Sequence, residues 1–198
     1  MRKAHSFSNT IIERLEENIM VSRVIAKTKV QKIEDIIYSI ITTYKLGGKV
    51  VLFGNGGSAA DAQHIACELI GKFTLKRQAL PAIALTDNTS ILTAIANDYG
   101  YDRVFSRQVE ALVEEKDVVI GISTSGESLN VIKAMEIAKK KRAVTVALTG
   151  GNGGELAKIV DIALIVSSYS TPRIQEAHIT IGHIICEIVE KELAGNDE

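Results

Sequence analysis

Val50-Val51-Leu52-Phe53-Gly54-Asn55-Gly56-Gly57-Ser58 is the stretch that decides the fold, because an apolar run leads directly into a glycine-rich loop. A short run of this kind is typical of a strand that is covered on both faces. Glycines let the chain turn tightly, and helical spacing of apolar residues follows over about residues 58–72. The stretch therefore predicts a strand, a loop and a helix, the repeating unit of a parallel α/β sheet.

The same unit recurs along the chain. Four more apolar, β-branched runs predict strands at residues 82–85, 118–122, 144–148 and 162–166. Helical spacing separates and follows them at about residues 92–97, 103–115, 128–140, 154–159 and 171–193. We therefore expect an α/β fold, a three-layer α/β/α sandwich in which right-handed crossovers place helices on both faces of a five-stranded parallel sheet.

A helical segment precedes the first strand. Apolar spacing over about residues 7–46 predicts two helices or one bent helix that ends at Gly47-Gly48. The 198 residues, of which 46% are hydrophobic, suffice for one well-buried domain. We expect a single domain over residues 1–198, with the helical segment at about 1–46 and the α/β core at about 47–198.

The charge balance argues against nucleic acid and membranes as partners. The formal net charge is -1 at pH 7, and no apolar stretch reaches the roughly 18 residues of a membrane span. The N-terminus lacks the pattern of a secretory signal, so we expect a cytoplasmic protein. Cys67 and Cys186 fall on apolar helical pattern without a C-x-x-C partner, which predicts two buried free thiols without a catalytic role.

Two distant stretches carry metal-ligand residue types inside apolar helical pattern. His64 and Glu68 are four apart, so on a helix one cation could contact both. The second stretch offers Gln175, His178 and His183, and imidazole with carboxylate oxygen is an ordinary zinc ligand set. Gln175 and His183 are separated by about 12 Å of helical rise, whereas His178 is better spaced from Gln175. Spacing alone does not decide whether His178 or His183 is the metal ligand.

Loops at the carboxyl edge of a parallel sheet are where ligands bind in open α/β folds. Ser123-Thr124-Ser125-Gly126-Glu127-Ser128 brings hydroxyls to a helix N-terminus, which suits a phosphate monoester, although serine and threonine are also ordinary N-caps. The loop at 54–58 allows close backbone approach to a ligand. Asn97-Asp98 is either a turn or a contact for sugar hydroxyls. We interpret the glycine-rich loop at 149–154 as structural.

These motifs, in this order, resemble those of the sugar isomerase (SIS) domain proteins and, among them, the phosphoheptose isomerases. The resemblance rests on residues 54–64 with Glu68, on residues 123–128, and on residues 173–178 with His183. It implies a flavodoxin-like sheet, a homotetramer with the active site at a subunit interface, and one zinc ion per subunit. It also implies interconversion of D-sedoheptulose 7-phosphate and D-glycero-D-manno-heptose 7-phosphate through an enediol, the first step towards nucleotide-activated heptose for bacterial surface glycans.

The resemblance also implies residue roles. The metal ligands fall on His64, Glu68, Gln175 and His183, with Glu68 and His183 as the catalytic pair. The sugar-phosphate contacts fall on Asn55, Gly56, Gly57, Glu68, Asn97, Asp98, Ser123, Thr124, Ser125, Ser128 and Gln175. Some isomerases have an acidic residue where this chain has Pro172, so an auxiliary acid would have to come from Asp61 or Asp98.

Two alternatives remain at this point. The fold also has non-catalytic members, including a binding protein that associates with the bacterial replication initiator, and the intact ligand set disfavours that function. Isomerisation of a pentose or hexose phosphate is the second alternative, because no single residue identifies the length of the sugar chain.

Overall fold

Five parallel strands form one sheet in the computed structural model, which describes residues 7–194. The strands are β1 (Val50–Gly54), β2 (Ala82–Ala84), β3 (Val118–Ser123), β4 (Val144–Gly150) and β5 (Ile162–Val166). Their spatial order is β2-β1-β3-β4-β5, and every neighbouring pair is parallel. This is the flavodoxin-like order, so the predicted fold class is confirmed.

Eight α-helices and one 3₁₀ helix surround the sheet in the part of the chain that the structure describes. They are α1 (Ser8–Thr28), α2 (Val30–Lys45), α3 (Gly57–Ile70), α4 (Thr89–Tyr99), the 3₁₀ helix (Tyr101–Arg103), α5 (Ser106–Leu112), α6 (Leu129–Lys140), α7 (Leu156–Ile159) and α8 (Thr171–Ala194). The N-terminal segment is therefore two helices, separated at Lys29. Residues 1–6 and 195–198 of the predicted single domain lie outside the described residues.

The sheet is covered on both faces, which explains why its strands are mainly apolar. In β1, Val50 and Leu52 belong to the core that α2, α3 and α8 cover, whereas Val51 and Phe53 belong to the core on the opposite face. Alternate side chains of a strand point to opposite faces, so each strand supplies both cores. The predicted three-layer sandwich is thus present.

Several sequence predictions about local structure were wrong in detail. The helix predicted at about residues 103–115 is shorter, because residues 101–103 form a 3₁₀ helix and α5 covers only Ser106–Leu112. Helix α4 begins at Thr89, three residues before the predicted start, because the Asn88 side chain accepts a hydrogen bond from the backbone N–H of Ile91 and caps the helix. Cys67 is exposed, although Cys186 is buried as predicted. None of the helices within residues 7–194 is both long and apolar enough to cross a membrane.

The topology places two functional loops side by side. Strands β1 and β3 are neighbours, and Gly54 at the end of β1 aligns with Ile122 near the end of β3. The chain leaves these two strands towards opposite sides of the sheet order, so their carboxyl ends form the switch point where ligands bind in open α/β sheets.

Candidate active site

Three of the predicted metal ligands meet between α3 and α8. Nε2 of His64 lies 3.2 Å from Oε1 of Glu68 and 3.2 Å from Nε2 of His183. One ligand atom from each residue lies within 4.8 Å of the others, with His64 exposed and the other two half-buried. Two imidazole nitrogens that face each other repel unless a proton or a cation lies between them. The arrangement therefore has the form of a cation site.

The cluster exists because α3 and α8 pack closely and run in the same direction. A Cβ built at Gly57 would lie 2.4 Å from Nε2 of Gln175, and a Cβ at Gly182 would lie 2.7 Å from Cδ1 of Ile65. From the first contact to the second, the residue numbers increase along both helices, which shows that α3 and α8 run in the same direction. A glycine next to His183 lets the α8 backbone approach α3, which brings His183 to His64.

Of the two histidines that spacing left open, His183 lies in the cluster and His178 does not. His178 is fully buried against the sheet, and its Nε2 is 3.2 Å from the carbonyl oxygen of Thr149, to which it donates. Burial lowers the pKa of His178 to about 4, so the ring is neutral at pH 7. Gln175 contacts Gly57 at the start of α3. Its role as a metal ligand stays a prediction.

The hydroxyls of the loop after β3 face one another. Ser128 occupies the N-cap position of α6, but its side chain makes no capping hydrogen bond. Its Oγ lies 2.9 Å from Oγ of Ser123, and Ser125 Oγ lies 3.5 Å from the same atom. The simple N-cap interpretation therefore does not describe Ser128, whose hydroxyl is turned towards the loop at the positive end of the helix dipole.

The loop at 149–154 supports the hydroxyl loop. Gly126 has a positive φ of 70°, and a Cβ there would lie 2.1 Å from the carbonyl oxygen of Gly153. The Leu156 N–H also donates to the carbonyl oxygen of Gly126 at 3.0 Å. These contacts agree with a structural role, although Gly151 and Asn152 also line a cavity of about 220 Å³ together with Thr124 and Ser125.

The glycine-rich loop after β1 turns at Gly56, whose φ of 56° explains the glycine. Asn55 pairs with Asn130 through two reciprocal amide hydrogen bonds of 2.9 Å each. The hydroxyl of Tyr101 donates to Oδ1 of Asn55 at 3.3 Å. The sequence did not indicate Asn130 or Tyr101, because the three residues come from separate segments without a common spacing.

Asn97 and Asp98 lie in the last turn of α4 and are exposed. Nδ2 of Asn97 donates to Oδ1 of Asp98 at 2.8 Å. The prediction that the helix ends at Asn97 was wrong by two residues, and the turn interpretation was wrong with it. Among the described residues, neither side chain has a recorded hydrogen bond to the loops after β1 and β3.

Asp61 lies one helical turn before His64 and is half-buried. Burial raises its pKa to about 6, although the neighbouring His64 lowers it. Its Oδ2 is buried and has no hydrogen-bond partner among the described residues. Phe73 is a further neighbour of the cluster that the sequence did not indicate, with its ring centroid 5.6 Å from that of His183.

Comparison with known proteins agrees with this geometry. A family model described as SIS domain matches residues 15–150. A phosphoheptose isomerase from Sulfurimonas denitrificans is 53% identical over 188 residues, which cover 94% of this chain and 96% of that protein. The solved phosphoheptose isomerase from Neisseria gonorrhoeae is 40% identical with a TM-score of 0.89, covering 94% of this chain and 100% of that one. The structure from Francisella tularensis is 36% identical with a TM-score of 0.91, covering 94% and 99%.

The sheet order, the hydroxyl-rich loop at its switch point and the family match define an α/β protein of the sugar isomerase (SIS) class. One fold can carry several functions, so the class alone leaves the activity open. The chain belongs to the phosphoheptose isomerase family, since relatives of that name match it along most of its length. The chain is thus an isomerase, and the non-catalytic alternative is not favoured.

Proposed function

We propose that the chain converts D-sedoheptulose 7-phosphate into D-glycero-D-manno-heptose 7-phosphate through an enediol, as an aldose-ketose isomerase. The observation that carries the proposal is the cluster of His64, Glu68 and His183 in a chain 53% identical to a phosphoheptose isomerase. The product would enter the synthesis of nucleotide-activated heptose for lipopolysaccharide, capsule or S-layer glycans. The two free cysteines agree with a reducing cytoplasm.

Zinc fits the cluster. Zinc ligands at 2.0 to 2.1 Å in tetrahedral geometry are separated by about 3.3 Å, and the His64 to Glu68 and His64 to His183 ligand-atom distances are both 3.2 Å. We assign one zinc ion per subunit to His64, Glu68 and His183, with Gln175 as the fourth ligand. When bound, zinc would polarise the carbonyl group of the sugar as a Lewis acid.

The residues of the chain supply the proton transfers. A ketose becomes an aldose when a proton leaves C1 and one returns at C2, while a proton passes between the two oxygens. We assign the carbon-bound proton to the Glu68 carboxylate and the oxygen-bound proton to His183. A carboxylate beside a cation is a weaker base than a free one. An auxiliary acid that donates a proton to a sugar oxygen would make the carbon-bound proton easier for Glu68 to remove.

Asp61 suits that auxiliary role better than Asp98. Its carboxyl group is half-buried one helical turn from His64, and Oδ2 has no hydrogen-bond partner among the described residues, whereas the Asp98 carboxylate is exposed and already accepts from Asn97. We place the phosphate at Ser123, Thr124, Ser125 and Ser128, where hydroxyls and the α6 N-terminus converge. Asn55, Gly56, Gly57, Asn97, Asp98 and Gln175 complete the proposed sugar-phosphate contacts.

We further propose that the chain assembles as a homotetramer with the active site at a subunit interface. No residue within α1 is buried, yet the helix carries exposed apolar side chains such as Ile11, Leu15 and Met20. Beside it, an apolar cavity of about 360 Å³ opens between α1, α2 and α8. Apolar surface of this kind is typical of protein interfaces. A Leu15→Asp variant should dissociate the assembly, as measured by light scattering after gel filtration.

The test of the reaction is a coupled assay of heptose 7-phosphate formation on metal-stripped protein, with and without added zinc. Unmodified protein should regain turnover with zinc, whereas His64→Ala and Glu68→Gln should remain inactive. The matched control is Glu110→Gln, because Glu110 is a glutamate of α5, which packs on the opposite face of the sheet from α3 and α8, and it pairs with Arg107. This variant should keep full activity.

Three outcomes would contradict parts of the proposal. Full activity in Glu68→Gln would remove Glu68 from the reaction, and turnover that ignores zinc would remove the metal. Faster turnover of ribose 5-phosphate or fructose 6-phosphate than of sedoheptulose 7-phosphate would replace the substrate.

A further inference from the structure

The side-chain amide of Asn55 has a single orientation that satisfies its neighbours. Two asparagines can pair equally well when both amides are flipped, so the reciprocal bonds between Asn55 and Asn130 do not settle the orientation. The backbone N–H of Val131 favours one of the two orientations. It donates to the carbonyl oxygen of Ser128 and to Oδ1 of Asn130, at 3.0 Å each, and a flipped Asn130 amide would bring its NH₂ group against this N–H. In the favoured orientation, Nδ2 of Asn130 donates to Oδ1 of Asn55.

Tyr101 adds a second constraint on the same oxygen. Its hydroxyl donates to Oδ1 of Asn55 at 3.3 Å. The 3₁₀ helix that carries Tyr101 is held to α6 by an ion pair between Asp102 and Lys133. Asn130 lies in the first turn of that same helix, so both residues that orient Asn55 are tied to α6.

One N–H of the Asn55 amide remains for a ligand. Nδ2 carries two hydrogens, and one of them is donated to Oδ1 of Asn130. No second acceptor takes the other hydrogen among residues 7–194. Asn130 follows Ser128 by two residues, so the Asn55 amide lies beside the helix N-terminus that the hydroxyl loop surrounds.

We propose that Asn130 and Tyr101 are positioning residues that hold Asn55 with one N–H donor directed at an acceptor oxygen of the sugar phosphate. The proposal rests on the proposed function, whose contact set includes Asn55 and neither of the other two. Asn55 would then present an N–H group to the ligand and not its carbonyl oxygen. Such a donor binds a phosphate or carbonyl oxygen and does not bind a group that can only donate.

The first test is Tyr101→Phe, which removes the hydroxyl from a side chain that is 60% exposed and therefore leaves the core intact. Loss of one hydrogen bond should raise the KM for sedoheptulose 7-phosphate about three- to tenfold, with kcat within about twofold. The matched control is Tyr99→Phe. Tyr99 is also exposed, but its ring stacks on Arg107 instead of contacting Asn55, so its KM should not change.

The second test asks whether the effect passes through Asn55. In an Asn55→Ala background, Tyr101→Phe should have no further effect on KM, because the oxygen that accepts the hydroxyl is gone. Asn130→Asp is nearly isosteric and keeps an acceptor for the Val131 N–H, but it cannot donate to Asn55. It should raise KM by at least as much as Tyr101→Phe. Because Asn130 is buried and a carboxylate there lowers the unfolding midpoint, KM is compared at a temperature at which both variants are fully folded.

The outcomes separate this inference from the proposed function. An unmodified protein that does not isomerise sedoheptulose 7-phosphate refutes the function, and the affinity for that sugar, measured by calorimetry, then replaces KM in every comparison. An active protein in which Tyr101→Phe leaves KM unchanged refutes the inference alone. An equal effect of Tyr101→Phe with and without Asn55 also refutes it, because the hydroxyl would then act by another route.

Discussion

Helix α8 packs against the sheet with one face and against α3 with another, and each face carries one histidine. The sheet face, defined by Ile174 and His178, contacts the end of β4. The α3 face, defined by His183, contacts His64, and Gly182, which lies between the two faces, contacts Ile65. Five residues of helix turn by about 140° beyond one full turn, so the two imidazoles cannot share one environment. The same residue type packs in the core at one position and belongs to the proposed metal site at the other.

The largest expected effect falls on the α3 face. His183→Ala removes one of three clustered ligands, so zinc content should fall to background and kcat/KM should drop about a thousandfold, equivalent to about 4 kcal/mol. Because His183 is only half-buried, the free energy of unfolding of the metal-free protein should change by less than about 1 kcal/mol. Metal analysis, the coupled assay and urea denaturation measure these three quantities. If the His183→Ala protein keeps its zinc, His183 is not a zinc ligand and the proposed difference between the two faces of α8 is wrong.

The sheet face should show the reverse pattern. His178→Ala leaves a cavity in the core and removes the hydrogen bond to the Thr149 carbonyl oxygen, which together should lower the free energy of unfolding by about 3 kcal/mol. Zinc content at 25 °C should stay at one ion per subunit, provided the variant is folded. Loss of zinc from a folded His178→Ala protein would contradict the assignment of His178 to the core.

The difference between the two histidines shows which features could be predicted from the sequence. The apolar runs predicted all five strands, because a strand that is buried on both faces is mainly apolar. The four-residue spacing of His64 and Glu68 also predicted that the two side chains meet on one helix, and they lie 3.2 Å apart, while their role as metal ligands stays a prediction. His183 could not be chosen from spacing within α8, since its partners are on α3 and only the parallel packing of the two helices brings them together.

Other parts of the site leave no pattern in the sequence. Asn130 and Tyr101 reach Asn55 from two other segments, and their hydrogen bonds depend on the way the 3₁₀ helix packs on α6. Cys67 was predicted to be buried because cysteine is usually an apolar core residue, yet it points outward from α3 next to Glu68. Tertiary packing decided these positions.

A smaller effect is expected on the pH dependence of stability, which should depend on the buried His178. The unfolded chain binds a proton at His178 below about pH 6.5, whereas burial keeps the folded pKa at about 4, so stability falls as pH falls between these values. At pH 5 the loss relative to pH 7 should be about 2 kcal/mol. His178→Gln should lack this component.

The measurement is the urea midpoint of both proteins at pH 7 and pH 5, on metal-stripped samples at one protein concentration. The difference between the two pH profiles isolates His178, because the other titrating groups are common to both. Identical profiles would mean that the imidazole is accessible to protons in the folded state.

The smallest effect concerns the boundary between the faces at Gly182. In Gly182→Ala the new Cβ would lie 2.7 Å from Cδ1 and 2.8 Å from Cγ1 of Ile65. Overpacking of about 2 kcal/mol, partly offset by about 1 kcal/mol of helix propensity, predicts a net destabilisation of about 1 kcal/mol. Since the added methyl group separates α3 from α8, zinc affinity should fall about tenfold while the pH dependence due to His178 stays unchanged. Ile65→Val removes the Cδ1 atom, so in the Gly182→Ala background it should recover part of the lost zinc affinity. If Ile65→Val lowers zinc affinity by the same factor with and without Gly182→Ala, the glycine does not set the distance between the helices.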